Sequence, residues 1–187
     1  KDRNIKLLAI VGMAGSGKSV VVEYLTKHNI PKIYFGGLLY KEMEKRGIEI
    51  TPETQGKFRE EIREAEGHDW VGRQAVAEAK DLIAAGQNKI VLDGLYSWTE
   101  YKLFKHEFPG CLTVIAVVSP RRLRYERLAC RPERPFSAAE VRARDYSEIE
   151  HVEKGGPIAI ADYFILNDGS IDDLHTQLKS ILSEINF

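Results

Sequence analysis

The sequence predicts a three-layer α/β fold: a parallel five-stranded sheet with helices on both faces. Three observations carry that prediction. An apolar run, Ile5 to Val11, leads straight through a glycine loop into a helix-spaced stretch with Val20, Val21, Tyr24 and Leu25. Short apolar runs and capped helical stretches then keep alternating to the end of the chain. One of those runs, Lys89 to Gly94, ends in an acid followed by glycine, at the strand end where open parallel sheets bind ligands.

Taken in order, the first helix runs from Lys18 to about His28, and residues 30–35 form a short second strand. Gly36-Gly37 opens a helix carrying Leu38, Leu39 and Met43, which stops near Arg46-Gly47. Thr51-Pro52-Glu53 is a helix start, with a capping hydroxyl, Pro at the first helical position and an acid in the first turn. The helix that follows, to about Gly67, is mostly charged, with Phe58 and Ile62 as its apolar stripe, and is expected to be a peripheral flap. A further helix spans His68 to Ala85 with Gly86 as its cap. After the third strand, Ser97 to Glu100 is a capping box. Leu112 to Val118 is the fourth strand, and Ser119-Pro120 is expected to cap a helix running through arginines to about Cys130. Residues 131–136 are a loop, and Ser137 to Glu140 is a second capping box opening a helix to about Glu153. Residues 162–166 form the last strand and 170–185 the closing helix. The whole chain, 1–187, reads as one domain.

Gly12 to Ser19 reads Gly-Met-Ala-Gly-Ser-Gly-Lys-Ser and fits G-x-x-x-x-G-K-[S/T], the phosphate-cradling P-loop. The glycines let backbone N–H groups approach anionic oxygens at a helix N-terminus, whose dipole also favours negative charge. The candidate nucleotide contacts are Gly12, Met13, Ala14, Gly15, Ser16, Gly17, Lys18, Ser19 and Val20. Lys18 is placed to reach the β- and γ-phosphates and the Ser19 hydroxyl to ligate Mg²⁺. Asp93 is the candidate second metal residue, acting through water, and the candidate general base. ATP and Mg²⁺ are the expected cofactors.

Eight of the thirteen arginines fall within the 24 residues from Arg121 to Arg144, with no lysine among them. Guanidinium forks suit bidentate phosphate contacts, and three local acids, Glu126, Glu133 and Glu140, cannot neutralise eight arginines. Arg127, Arg131 and Arg134, nearest the loop, are the expected catalytic cations; Arg121 and Arg122 are expected at the surface. Asp145 is expected either to order this segment or to form an intrahelical ion pair. Tyr34, Tyr40 and Trp98 read first as core aromatics, with the lining of an acceptor pocket as the alternative.

Composition narrows the field. The formal net charge of −1 gives no polyanion-binding signature, and 43% hydrophobic with 29% charged residues is ordinary for a globular protein. No apolar run is long enough to span a membrane, and the start of the chain does not read as a signal peptide. Cys111 and Cys130 show no metal-ligand spacing, suit a reducing cytoplasm and are expected to serve packing.

With these stretches in order, the chain resembles the nucleotide-kinase branch of P-loop NTPases, which includes adenylate kinase and dephospho-CoA kinase. It is most similar to an archaeal-type group of P-loop kinases akin to the latter. The stretches that carry the resemblance are Lys45-Arg46-Gly47 through Thr51-Pro52-Glu53, Val91-Leu92-Asp93-Gly94-Leu95-Tyr96-Ser97, Arg144-Asp145, and above all the tail from Ala161 to Ser170. The resemblance implies an acceptor-binding flap at about residues 36–86 and an arginine-rich lid at about 121–145. It also implies Asn167 and Gly169 near the nucleotide base. Two departures stand out. Adenylate kinases carry Gly-Asp-x-x-Arg after the second strand, whose Arg grips the acceptor phosphate; here Gly36-Gly37-Leu38-Leu39-Tyr40 has Tyr in that place. Dephospho-CoA kinases end that strand in an Asp, where this chain has Tyr34-Phe35.

The leading expectation is an ATP-dependent kinase that transfers the γ-phosphate to a small nucleotide-like acceptor, of nucleoside monophosphate or dephospho-CoA type. The alternative is a nucleotide-dependent switch or slow ATPase acting on a protein partner. A GTPase is disfavoured, since Asn88-Lys89-Ile90-Val91 lacks the Asp of a guanine motif, and no Leu-Ser-Gly-Gly-Gln run marks a transporter ATPase. Nucleic-acid processing, motivated by the arginines alone, stands third.

Overall fold

The computed structural model describes residues 4–95 and 97–187; Tyr96 and residues 1–3, quoted above, lie outside the described residues. The five strands are β1 (Lys6–Val11), β2 (Lys32–Tyr34), β3 (Lys89–Asp93), β4 (Leu112–Val118) and β5 (Tyr163–Leu166). They form one sheet in the order β2-β3-β1-β4-β5, and every pairing is parallel. Burial on both faces explains why the strands read as unbroken apolar runs. Along β1 the side chains alternate: Leu7, Ala9 and Val11 enter one core cluster and Leu8 and Ile10 the other.

The Leu7 face is covered by α4 (Trp70–Ala84) and α5 (Trp98–Glu107), with Ala75, Ala79 and Phe104 fully buried against it. The Leu8 face is covered by α1 (Lys18–Thr26) and α9 (Ile171–Glu184) through Val21, Leu25, Leu174 and Leu178. α5 and α9 begin with capping boxes, Ser97 with Glu100 and Ser170 with Asp173.

Two smaller clusters flank the sheet. α2 (Phe35–Lys45) and α3 (Pro52–Glu66) meet α4 through Leu39, Met43, Phe58, Ile62 and Trp70. Phe58 and Ile62 are the stripe expected of this helix, and it packs beside the sheet rather than on it. On the other flank, α6 (Arg121–Ala129) and α7 (Ala138–Glu150) close over Ala14 with Leu128 and Val141.

Several local expectations are corrected. Ser119 does not cap α6, whose N-cap is Pro120 with no side-chain bond; its hydroxyl donates to the carbonyls of Ser16 and Asn167 instead. α7 stops at Glu150, and a short α8 (Gly155–Ala159) follows that the sequence pattern did not show. Cys130 is exposed, so it is no packing residue; Cys111 is half-buried, just before β4.

Candidate functional site

At the carboxyl end of β1 the chain turns through residues 12–17 into α1. Gly15 has φ 79° and Gly17, the N-cap of α1, has φ 102°, both in the left-handed region that favours glycine. Space demands glycine as well. A Cβ on Gly15 would lie 2.8 Å from the Arg124 carbonyl oxygen, and one on Gly17 would collide with the Asn167 amide.

The carbonyls of this loop are tied down one after another. Arg124 donates to Ala14 O at 3.0 Å, Arg127 to Gly15 O at 3.2 Å, and Asn167 Nδ2 to Ser16 O at 2.8 Å. Arg127 also donates to Ser119 Oγ at 2.8 Å and Asn167 O at 2.8 Å. A loop fixed this way keeps its shape before any ligand arrives. Within it, Ser16 Oγ is buried and has no hydrogen-bond partner among the described residues. An orphaned buried hydroxyl costs about 1–3 kcal/mol, a cost that an anionic oxygen bound in the loop would relieve.

The loop opens onto a cavity of about 710 Å³, within the usual range for small-molecule sites. Met13 to Ser19 line one wall. Tyr34, Tyr40 and the α3 side chains Gln55, Arg59 and Arg63 line the facing wall. Arg127, Arg131 and Arg134 reach in from α6 and its loop, and Arg144, Glu148 and Lys154 from α7 and the segment after it.

Burial lowers the Lys18 pKa; the Asp93 and Glu148 charges oppose that shift, while Arg144 and Arg131 add to it. Asp93, at the end of β3 beside Ile10 of β1, therefore acts on Lys18 through its field, though it is not a lining residue. It also faces Lys32 at 3.9 Å. Gly12 and Val20 bracket the loop without lining the cavity. Asn167 is spent on the loop backbone, and Gly169 sits in the turn before α9, packed against Asp173. Trp98 stacks on Tyr101 at 5.2 Å, away from the lining.

Three features of the site were not fully given by the sequence reading, which left Asp145 either to order the arginine-rich segment or to pair within its own helix. Arg124 and Asp145 form a buried two-pronged pair, at 2.9 and 2.7 Å, that joins α6 to α7. It holds the guanidinium above its ordinary pKa, against the effect of burial. Lys154 is buried against Glu148 at 2.8 Å, and Glu148 also accepts from Arg144 at 3.0 Å. Burial works against the Glu148 charge, but Lys154 and Arg144 outweigh it and hold the carboxyl low. The third is the stripe Gln55-Arg59-Arg63, spaced i, i+4, i+8 on α3 opposite its exposed residues. That spacing, like the i, i+4 spacing of Arg144 and Glu148, is present in the sequence.

Residues 8–154 match the AAA domain family. The UPF0200 protein of Thermococcus kodakarensis is 33% identical over 182 residues, spanning 96% of this chain and 97% of that one. This chain is an AAA-domain protein of the UPF0200 family. Among solved structures, this UPF0200 chain is similar to TT1252 from Thermus thermophilus, with TM-score 0.64 and 25% identity over 97% of this chain and 98% of that one. Dephospho-CoA kinase from Campylobacter jejuni shares the fold, with TM-score 0.61, 17% identity and 96% of each chain covered. The UPF0200 chain therefore has the P-loop kinase-like fold. No helix of the described residues is long and apolar enough to cross a membrane.

Proposed function

We propose that this protein is an ATP-dependent phosphotransferase that moves the γ-phosphate to a small nucleotide-like acceptor. One observation carries the reading: a preformed phosphate cradle and a second, tyrosine-lined wall share a single cavity. A switch or slow ATPase needs the first and has no use for the second.

In this reading the P-loop amides and Lys18 hold the β- and γ-phosphates. Ser16 Oγ is a further donor to phosphate, relieving its orphaned state. Ser19 and Asp93 are the residues that would hold Mg²⁺, which would neutralise charge on the transferring group. The residues fit such an ion, since a hydroxyl at the start of α1 and a carboxylate at the end of β3 flank Lys18. In this reading Asp93, acting from the end of β3, would also take the acceptor proton. Arg131 and Arg134 come from the loop between α6 and α7 to meet phosphate, whereas Arg127 positions the cradle through its backbone bonds. The segments 36–86 and 121–145 act as flap and lid around the reaction, and the protein works in the cytoplasm.

The test is ADP release from ATP·Mg²⁺ with nucleosides, nucleoside monophosphates and dephospho-CoA as acceptors. Lys18→Ala should lower acceptor-dependent release by about 10³-fold or more. A fully active Lys18→Ala would remove the P-loop as the site. ATP hydrolysis indifferent to every acceptor would favour the switch reading.

A further inference from the structure

Charge divides unevenly across the cavity. Eight cationic side chains line it, against the carboxylates of Glu100 and Glu148. Four of the cations, Lys18, Arg127, Arg131 and Arg134, belong to the P-loop and the segment above it. Of the other four, Arg144 and Lys154 are both engaged by Glu148. That leaves Arg59 and Arg63 on α3, both half-buried. Among the described residues no ion pair or hydrogen bond holds Arg59, and Arg63 bonds only a neutral group, His151 O at 3.1 Å. Two cations on one helix face, lining a cavity and without a counter-charge among the described residues, give that wall a positive field that favours an anion.

Their position is also informative. Tyr34 and Tyr40 meet edge to face at 6.5 Å on this wall. The Tyr34 hydroxyl is raised by burial, by Tyr40 and by Asp93, and feels Arg59 in the opposite sense. Arg59 lines the same cavity as the tyrosine pair, one member of which, Tyr40, fills the place where adenylate kinases carry their acceptor-gripping Arg.

We infer that Arg59, with Arg63 behind it, binds the phosphate of an acceptor that is itself a phosphate monoester, its ring lying against Tyr34 and Tyr40. The inference rests on the phosphotransfer reading for the ligand's role, but it can fail separately. Guanidinium forks suit a phosphate dianion bidentately, and the tyrosine faces suit a planar base.

The test is equilibrium binding to protein saturated with AMP-PNP·Mg²⁺. The probes are AMP, GMP, CMP, UMP and dephospho-CoA, each beside its counterpart lacking the phosphate. At least one phosphate-bearing probe should bind about 10-fold or more tightly than its uncharged counterpart. Arg59→Gln should weaken that probe by about 10- to 100-fold. Arg59→Lys, which keeps the charge and loses the fork, should recover part of it. AMP-PNP affinity, read on the same samples, reports that the variants are folded. If no probe binds, if the uncharged counterpart binds equally, or if Arg59→Gln stays within twofold of the original, the inference is overturned. Turnover is read independently. Phosphorylation of a neutral acceptor alone would keep the kinase reading and sink this one. Tight, Arg59-dependent binding without Lys18-dependent turnover would do the reverse.

Discussion

The two walls of the cavity are built on different principles. The P-loop wall is tied at three successive carbonyls, and the α6–α7 hairpin is joined to it through Arg124, Asp145 and a cluster that includes Ala14 itself. The facing wall is a mostly charged helix, α3, anchored by Phe58 and Ile62 in a five-residue apolar cluster, by the bond from Arg63 to His151 O and by the bond from Arg73 of α4 to Glu66 O. One wall is specified before ligand arrives; the other is held by a patch small enough to release. A nucleotide of fixed shape needs the first kind of wall. An acceptor that must enter, be enclosed and leave needs the second.

The sharpest way to break this comparison is Asp145→Ala. Arg124 would remain buried with its charge uncompensated, which costs about 3–5 kcal/mol. At about 2–4 °C per kcal/mol for a domain of this size, the melting temperature should fall by roughly 6–20 °C, and ATP affinity should fall with it because Ala14 O loses a firmly held donor. A melting temperature within 2 °C of the original would show that the P-loop wall is not held by this pair.

Phe58→Ala probes the other wall and should act locally. Truncating a buried Phe costs about 3–5 kcal/mol in a full core, but α3 can open without the sheet, so the global melting temperature should fall less than for Asp145→Ala. Amide exchange should quicken across residues 52–66 and leave β1 and β4 protected. The KM for acceptor should rise several-fold while that for ATP stays put. Exchange that quickens equally in β1 would mean α3 belongs to the same cooperative unit as the sheet, and the contrast between the walls would be lost.

The same contrast explains what was legible in the sequence. The P-loop was readable because its requirements are local: glycines where φ is positive or space is absent, and a Lys-Ser pair at a helix start. The strands were readable because burial on both faces leaves unbroken apolar runs, and the capping boxes at Ser97 and Ser137 because partners three residues apart are visible in one dimension. Ser119 misled for the converse reason. It stands where a capping hydroxyl belongs, but tertiary partners at Ser16 and Asn167 claimed it. The Arg124–Asp145 pair spans 21 residues, so a sequence offers Asp145 several equally good neighbours. α8, five residues with two glycines and a proline, has no periodicity to find. The polar stripe of α3 was hidden because a face turned to a cavity and a face turned to water use the same side chains.

Lys154 lies between the two walls and should give the smallest effect. Burial lowers its pKa from 10.5 to about 8, against the pull of Glu148, with Lys18 and Arg144 pushing further in the direction of burial. Between about pH 8 and 10.5 the unfolded chain therefore holds a proton that the folded chain has released. Stability contributed by this site should rise with pH through that window and be lost as pH falls back through about 8. Lys154→Met removes the titration. The melting temperature of the unmodified protein minus that of Lys154→Met should become more positive, by a few degrees, from pH 7.5 to pH 10. A difference that shrinks instead would mean that the bond to Glu148 outweighs the cost of burial. Lys154 would then be a structural tie of the P-loop side rather than a cation held at a cost beside the acceptor.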